Sequence, residues 1–539
     1  MKVPAAGWPW HRAAAAALLL LFVGMGLWNL DRWPKVHEDE SWQAAPGYTF
    51  WTEGRFGTDL FRGFSGMERH YYGFMPLFPL MLGGSLKLFG FGLLQARFVP
   101  LGLAALTLLL TYLLGERLFS PAHGLVALLV LATWPLAMPE AHLTTGLPLA
   151  DLARICRYDI AVPVFGLLAL LALVAALEPG RKRSRAWLAV AGVLSALATL
   201  SHVYGAAWLV VVLVTWSFRP FKDRLRTCMW ALAGFSLTLL PYLLFIASGW
   251  EDFLAQNRNY AQRFALGDAG FYLTNLLHEP RRYHHLTAAL GNGNLVAWLF
   301  LAAFVTGLVV PDRKVGGATV PRPPILRIAL FVPALLFGLL LESKNPMYLA
   351  TLWPLAGLVA STGVVRAFPS RGRLGALAVV VVVSLASLHG LRLFARRARE
   401  ATAATSFRAF TQAVSARIPG GGEVLGMQHY WLGLGTRFPR YRAFHVALFL
   451  SSPRYVPDPR PFSESVRSLN TDVVFLDETL LRFLRDSDDP RHEFAWLGAQ
   501  IREFLAIRAS LVGSGEDPTY GRFEIYRVRE PTPSTPPGI

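Results

Sequence analysis

The chain has 539 residues, of which 53% are hydrophobic and only 16% are charged. Charged residues make up about a quarter of ordinary soluble proteins, so this composition excludes a soluble globular protein. The formal net charge of +17 would suggest nucleic-acid binding in a soluble protein. Here much of the basic charge lies in short loops between apolar runs, where it indicates membrane topology instead. We therefore expect no nucleic acid among the partners.

Uncharged runs of about 15–20 residues recur along the chain and predict a mainly α polytopic membrane protein. We place about eleven predicted spans, at 13–30, 98–115, 121–140, 160–177, 187–201, 203–217, 229–249, 294–311, 328–341, 346–365 and 374–391. The first span resembles a signal peptide but lacks an A-x-A cleavage site. We interpret it as an uncleaved span.

Basic residues fall in alternate loops between these spans. They lie near the N-terminus, at Arg117, and within 181–185, 218–226, 311–327 and 366–373. A cytoplasmic N-terminus puts all of them on the cytoplasmic side, as the positive-inside rule requires. The same alternation predicts a multi-pass inner-membrane protein whose segments 31–97, 141–159 and 250–293 face outward, together with its C-terminal tail.

Two segments leave the number of spans open. Residues 74–90 contain two prolines, three glycines and a lysine, so we interpret them as an interfacial helix within the outer loop. Residues 187–217 form two short spans with a turn at His202, or one long tilted helix that would reverse the orientation of everything after it. In the predicted topology Cys156 and Cys228 lie on opposite sides of the membrane, which excludes a disulfide between them.

From about residue 392 the chain becomes polar and lacks any long apolar run. Strand patterns occur at 422–428, 471–477 and 523–528, and helix patterns at 465–470 and 478–486. Strands that alternate with helices predict an extracytoplasmic α/β domain over 392–530, after a membrane module over 1–391. The proline-rich tail, 531–539, is predicted to be disordered.

Polar residues gather on the predicted outer face. The segment VHEDESWQ (36–43) places three consecutive acids shortly after the first span. Like charges this close raise the pKa of at least one acid, which would make Asp39 a suitable proton acceptor. Acids also favour helix N-termini, and this ordinary interpretation has equal weight.

Two later outer segments carry further candidates. Asp159 and Arg157 precede the fourth span, where they suit a functional site or an ordinary interfacial ion pair. Lys344, with Tyr348 four residues later, lies at the turn between the ninth and tenth spans. An ammonium and a hydroxyl there suit a phosphate, although such a lysine also serves as an interfacial anchor. Histidines such as His70 could bind a metal with the carboxylates, without a recognised ligand spacing.

Four segments together resemble the polytopic glycosyltransferases with the C-type fold. The resemblance is to bacterial members related to protein O-mannosyltransferases and to the aminoarabinose transferase that modifies lipid A. The segments are DESWQAAPGYTFWTEG (39–54), the stretch from HYYGFMPLFP to LTLLL (70–110), ARICRYD (153–159) and LESKNPMYLATLWPLAG (341–357). The resemblance covers roughly residues 10–390. One departure is Phe74, which stands where family members often carry the lysine of a Lys-Pro-Pro motif.

The resemblance implies an enzyme that moves a sugar from a polyprenyl-phosphate donor to a hydroxyl of a lipid, glycan or protein. The transfer would be a direct displacement with inversion at the outer face of the membrane, among membrane lipids. Asp39 would be the catalytic base, with Glu40 and Asp159 positioning the acceptor or a metal. Donor-phosphate contacts would come from Lys344, Tyr348, Arg69, Arg157 and Arg258. The resemblance implies no certain cofactor, and a divalent metal ion held by Glu40, Asp159 and His70 stays open.

Two other classes of function compete with this one. A transporter or lipid flippase is the main alternative, and a non-catalytic scaffold whose outer domain binds cell-wall polymer is the second. Transporters place ionisable residues inside their spans. Here the spans contain almost none, and the acids cluster at the outer edge, which favours an enzyme.

Overall fold

The computed structural model describes residues 10–137, 145–178, 184–218, 221–263, 265, 267–309, 325–367, 372–420 and 422–529. Most of the chain before residue 400 is helical. Its α-helices are α1 (Trp10–Leu27), α2 (Glu38–Glu53), α3 (Leu77–Phe89), α4 (Leu93–Leu118), α5 (Pro121–Thr133), α6 (Pro148–Leu152), α7 (Ala161–Leu177), α8 (Ser184–Ser201), α9 (Ala207–Ser217), α10 (Phe221–Ser248), α11 (Trp250–Arg263), α12 (Ala269–Leu277), α13 (His284–Gly291), α14 (Leu295–Val309), α15 (Ile325–Leu340), α16 (Trp353–Ala367) and α17 (Gly372–Glu400).

Each of the eleven predicted spans overlaps one of these helices. Among the described residues, six helices are long and apolar enough to cross a membrane, or seven if the bent pair 269–291 and 295–309 forms one span. Others, such as α5 and α15, are apolar but shorter. The chain is a multi-pass membrane protein, while the number of crossings and the side of the N-terminus stay predictions.

The first open segment, 187–217, contains two helices rather than one. A 3₁₀ turn, Val203–Ala206, separates α8 from α9 directly after His202. A Cβ added to Gly205 would stand 2.2 Å from the carbonyl oxygen of Ala198, so the turn packs directly against the end of α8. The turn therefore interrupts the apolar run where the sequence suggested.

The second open segment contains α3, which crosses α2 in close contact. A Cβ added to Gly47 of α2 would stand 1.7 Å from the carbonyl oxygen of Pro79, and one added to Gly83 of α3 would stand 2.0 Å from the Gly47 carbonyl carbon. Small residues allow this close approach, as they do between packed membrane helices. The crossing fixes α2 against the following segment of the chain.

A five-stranded sheet with helices follows α17, which continues past the predicted boundary at residue 391. Its elements are α18 (Phe407–Ser415), β1 (Val424–Gly426), α19 (Trp431–Leu434), β2 (Tyr441–Ala443), α20 (Phe444–Leu450), α21 (Phe462–Ser468), β3 (Val473–Leu476), α22 (Glu478–Asp486), α23 (Ala495–Arg508), β4 (Ala509–Asp517) and β5 (Gly521–Val528). The strand order is β2-β1-β3-β5-β4, with β1 parallel to β2 and β3, and β5 antiparallel to β3 and β4. This arrangement confirms the predicted α/β class of the C-terminal part.

The predicted strands and helices of this part coincide with β1, β3, β5, α21 and α22. The sequence did not reveal β2, which has only three residues, or β4, whose ASLVGSGED contains two glycines and two acids. The tail predicted to be disordered, 531–539, lies outside the described residues.

The C-terminal part lies directly on the segment 31–97. The Ser41 hydroxyl on α2 donates a hydrogen bond to the carbonyl oxygen of His429 at 3.0 Å. Nη1 of Arg442 donates to the carbonyl oxygen of Asp59 at 2.8 Å. Helix α2 is thus held by α3 and by the C-terminal part, which positions the acids at its first turn.

Candidate active site

The three consecutive acids form the first turn of α2, which begins with a capping box. The His37 side chain accepts a hydrogen bond from the amide of Asp39 at 3.1 Å, and Oε2 of Glu40 accepts one from the amide of His37 at 2.7 Å. Successive helical residues point about 100° apart. The acids consequently differ in burial, with Glu38 exposed, Asp39 partly buried and Glu40 fully buried.

Glu40 is bonded on both carboxylate oxygens. Oε1 accepts from Nε of Arg97 at 2.9 Å and from the amide of Cys156 at 3.0 Å, and Oε2 accepts from Nη2 of Arg97 at 2.8 Å. Arg97 is fully buried and also donates to the carbonyl oxygens of Leu30 and Pro34. Glu40 therefore joins segments of the chain, while its role beside the acceptor or a metal stays a prediction.

Arg157 bridges the other two predicted catalytic acids. Its Nη1 donates to Oδ2 of Asp39 at 2.7 Å, and its Nε donates to Oδ2 of Asp159 at 2.9 Å. Asp159 is fully buried and accepts a further hydrogen bond from the Tyr204 hydroxyl at 3.2 Å. The Asp39 side chain keeps 18% exposure. Its Oδ1 accepts no hydrogen bond from the described residues, so this oxygen is available to an incoming group.

Electrostatics suit Asp39 to proton transfer. Burial raises the pKa of Asp39 to about 6, although the Arg157 guanidinium acts to lower it, and Glu38 and Asp159 add to the rise. Burial acts to lower the pKa of Arg157, but Asp159 and Asp39 outweigh it, and the pKa rises above its ordinary value. Like charges predicted a raised carboxylate pKa, but burial is the larger cause. Such a carboxylate is ionised at neutral pH and can still accept a proton.

Aromatic side chains continue the site from Asp159. The rings of Tyr158 and His202 are 4.4 Å apart, and Tyr348 lies 5.7 Å from His202 and 5.2 Å from Tyr204. Phe74, at the position of the absent lysine, packs 5.4 Å from Tyr158. We call these five residues the aromatic wall. It joins the acids to the predicted phosphate contacts.

Beyond Tyr348 lie two buried cations that share one acid. Oε1 of Glu279 accepts from Nε of Arg282 at 2.7 Å, and Oε2 of Glu279 accepts from Nζ of Lys344 at 3.0 Å. The Arg282 guanidinium also lies 5.5 Å from the Tyr348 ring centroid. We call Glu279, Arg282 and Lys344 the basic end. Sequence reasoning missed the first two, although HEPRRYHH (278–285) is strongly polar for a segment between apolar helices.

Three other predicted site residues lie elsewhere. Arg69 and His70 bind the two carboxylate oxygens of Asp252, each at 2.8 Å, and so join the segment 31–97 to α11. Arg258 is exposed on α11, and no described contact joins it to the basic end. The described contacts do not bring these residues to the basic end, and their roles in binding phosphate or a metal stay predictions.

In the described part of the chain, the predicted metal ligands do not form a metal site. Within the described ranges, no group of three or more His, Cys, Asp or Glu side chains is arranged to hold one. The predicted ligands Glu40, Asp159 and His70 are each bound to a different side chain. Between Asp39 and Asp159 the bridging cation is the Arg157 guanidinium. We therefore derive no step through a metal.

Comparisons with known proteins agree with this architecture. Residues 75–247 match the family model described as dolichyl-phosphate-mannose-protein mannosyltransferase. A search of curated protein sequences gives no significant match. ArnT from Cupriavidus metallidurans, solved bound to undecaprenyl phosphate, superposes with a TM-score of 0.61 at 13% identity, covering 96% of this chain and 99% of that one. The chain has the C-type glycosyltransferase fold.

Archaeal proteins share the C-type fold. AglB from Archaeoglobus fulgidus, solved with an inhibitory peptide and a dolichol-phosphate, is 13% identical with a TM-score of 0.55, covering 96% of this chain and 74% of that one. The oligosaccharyltransferase of the same organism, in complex with Zn and sulfate, is 13% identical with a TM-score of 0.55. The match covers 94% of this chain and 72% of that one. The predicted fold class is confirmed, while at these identities the roles of individual residues depend on geometry.

Replacing Glu40 with Gln tests its structural role. The amide keeps the size and capping ability of the side chain but leaves the buried Arg97 guanidinium without a counter-charge. Removal of one partner from a buried ion pair costs about 3–5 kcal/mol. We expect a clearly lower melting temperature for the purified protein in detergent. Glu38→Gln makes the same charge change at an exposed position and should change stability by less than about 0.5 kcal/mol. Equal melting temperatures for the two variants would contradict the assignment.

Proposed function

We propose that this protein is a membrane glycosyltransferase that moves a sugar from a polyprenyl-phosphate donor to an acceptor hydroxyl. One observation carries the proposal. A carboxylate with an available oxygen and a pair of buried cations lie at opposite ends of the aromatic wall, within a C-type fold. Proton transfer requires the first group, and a phosphate leaving group requires the second.

The proposed reaction is a single displacement. Oδ1 of Asp39 accepts the proton of the acceptor hydroxyl while the acceptor oxygen attacks the anomeric carbon. The bond from that carbon to the phosphate oxygen breaks on the opposite face, and its electron pair leaves with the phosphate. The anomeric configuration is therefore inverted. Lys344 and Arg282 offset the charge that develops on the phosphate, and the Tyr348 hydroxyl donates a hydrogen bond to it.

Arg157 and Asp159 position the base in this scheme. The guanidinium fixes one oxygen of Asp39, and Asp159 holds the guanidinium from the other side. Arg157 was predicted to contact the donor phosphate, but its two bonded carboxylates support a positioning role instead. The sugar would then lie along the aromatic wall, between Asp39 and the basic end.

The donor and acceptor classes follow from chemistry and from the related structures. The ArnT structure holds undecaprenyl phosphate and the AglB structure holds a dolichol-phosphate, which supports a polyprenyl-phosphate donor here. The acceptor is a hydroxyl of a lipid, glycan or protein, and the sugar is a hexose or a pentose. We place the reaction at the periplasmic face of the inner membrane, with the N-terminus in the cytoplasm.

Transfer of isotope from the donor tests the function. Purified protein in lipid vesicles should move label from undecaprenyl-phosphate mannose, or from a pentose counterpart, to the lipid, glycan or protein fraction of an envelope extract. Asp39→Asn keeps the size of the side chain but cannot accept the proton, so the rate should fall about 10²–10⁴-fold. A transporter or flippase would leave all the label on the polyprenyl phosphate.

Two controls accompany this measurement. The exposed Glu38→Gln variant should transfer at nearly the wild-type rate. The wild-type rate should also fall as the pH falls through about 6, because protonated Asp39 cannot act as a base. A near wild-type rate for Asp39→Asn would reject Asp39 as the base.

Lys344→Ala tests the phosphate contact. Loss of a charge-assisted hydrogen bond should weaken donor binding about ten- to a hundredfold, and Lys344→Arg should retain part of the affinity. Lys87→Ala removes the same charge from an exposed position near the end of α3, so its donor affinity should match that of the wild type. An unchanged donor dissociation constant for Lys344→Ala would count against the assignment.

Cysteine labelling tests the orientation. Cysteines introduced at Ser65 and Ser463 should react with an impermeant thiol reagent in intact cells, whereas one at Ser184 should react only after permeabilisation. The prediction follows from the alternation of basic loops along the sequence. The opposite labelling pattern would reverse the proposed topology.

A further inference from the structure

Glu279 gives the basic end a particular balance of charge. Arg282 is fully buried and the Lys344 side chain keeps only 7% exposure, so both cations need compensation within the protein. Among the described residues, Glu279 is the carboxylate that pairs with both of them. Two positive charges and one negative charge leave a surplus of one positive charge.

Backbone carbonyls hold the two cations independently of Glu279. Nη2 of Arg282 donates to the carbonyl oxygen of Phe337 at 3.3 Å, and Nζ of Lys344 donates to that of Gly338 at 3.1 Å. Both carbonyls belong to the C-terminal end of α15, where a helix stabilises positive charge. Glu279 is therefore one of several groups that hold the cations, and its charge also sets the net charge of the cluster.

The proposed donor and the proposed product differ in charge at their phosphate. A polyprenyl-phosphate sugar is a diester with one negative charge, which matches the surplus of the basic end. The polyprenyl phosphate left after transfer is a monoester with a charge of about −1.5 to −2 at neutral pH. Its second negative charge has no matching cation and lies in the same buried cluster as the Glu279 carboxylate, where repulsion is poorly screened.

We infer that Glu279 makes the site favour the diester donor over the monoester product, and so promotes product release. The inference depends on the proposed function, because it takes Lys344 as the phosphate contact and Arg282 as a buried positive charge behind it. Glu279 would not contact the reacting atoms. It would act by neutralising part of the positive charge of Arg282 and Lys344. It is a specificity-determining residue rather than a catalytic one.

Binding of two sugar-free lipids tests the inference. Undecaprenyl phosphate represents the product, and its methyl ester, a diester, represents the charge of the donor. Both would be titrated at pH 8 into full-length protein in nanodiscs. Glu279→Gln should tighten binding of the diester about tenfold and of the monoester about a hundredfold, because the second phosphate charge doubles the repulsion that is removed. Product inhibition of transfer should become stronger in parallel.

A matched control separates a local charge effect from a general one. Glu342→Gln removes the same charge from an exposed position at the neighbouring turn, and it should leave both affinities unchanged. Lys344→Gln changes the net charge of the basic end in the opposite direction, because it removes a positive charge. It tests the inference even if the Glu279 variant does not fold. It should weaken the monoester more than the diester.

The outcomes distinguish the inference from the function on which it depends. If Lys344→Gln weakens both lipids but Glu279→Gln leaves the ratio of their affinities unchanged, the role of Glu279 is rejected and the phosphate site stands. If Glu279→Gln does not fold, equal losses for the two lipids in Lys344→Gln reject the charge-balance argument. If wild type and Lys344→Gln bind both lipids equally, the phosphate site itself is rejected.

Discussion

The buried ion pair between Glu40 and Arg97 is the interaction on which the geometry of the site depends. Through it, α4 is bonded to the first turn of α2, and the same carboxylate accepts the amide of Cys156. That amide lies one residue before Arg157, whose guanidinium holds Asp39. One buried carboxylate thus links the two segments that carry Asp39 and Arg157, the proposed base and its positioning residue. This ion pair is stable when buried because each charge compensates the other and the Glu40 carboxylate accepts four hydrogen bonds.

Much of the architecture was accessible from the sequence because it follows from periodicity and charge. Apolar runs located a helix in every predicted span, and the segment VHEDESWQ pointed to Asp39. The sequence did not predict two strands, because β2 has only three residues and β4 contains glycines and acids. A local sequence pattern shows only the intrinsic preference of a segment for helix or strand. A strand that is stabilised mainly by pairing with its neighbours therefore has a weak sequence pattern.

The roles of individual charged residues were less accessible, because they depend on partners far away in the sequence. Glu40 and Asp39 are adjacent, yet one is bonded to Arg97 and the other to Arg157. Glu279 is 65 residues from Lys344, to which it is bonded. No spacing rule relates such residues, since tertiary packing alone brings them together. The family resemblance likewise did not predict that Phe74, at the position where the resembled family often has a lysine, would pack into the aromatic wall.

Arg157 is bonded to two carboxylates, those of Asp39 and Asp159, and this has a consequence for repeated turnover in the proposed mechanism. When Asp39 becomes neutral, it loses its charge but keeps its oxygen, and the guanidinium stays bonded to Asp159. Asp159 is itself held by the Tyr204 hydroxyl. Neither of these two hydrogen bonds involves Asp39, so both can persist whichever protonation state Asp39 adopts. In the proposed mechanism, Asp39 would then pass its proton to water and meet the next acceptor with its Arg157 support unchanged, so that regeneration would require only the diffusion of a proton.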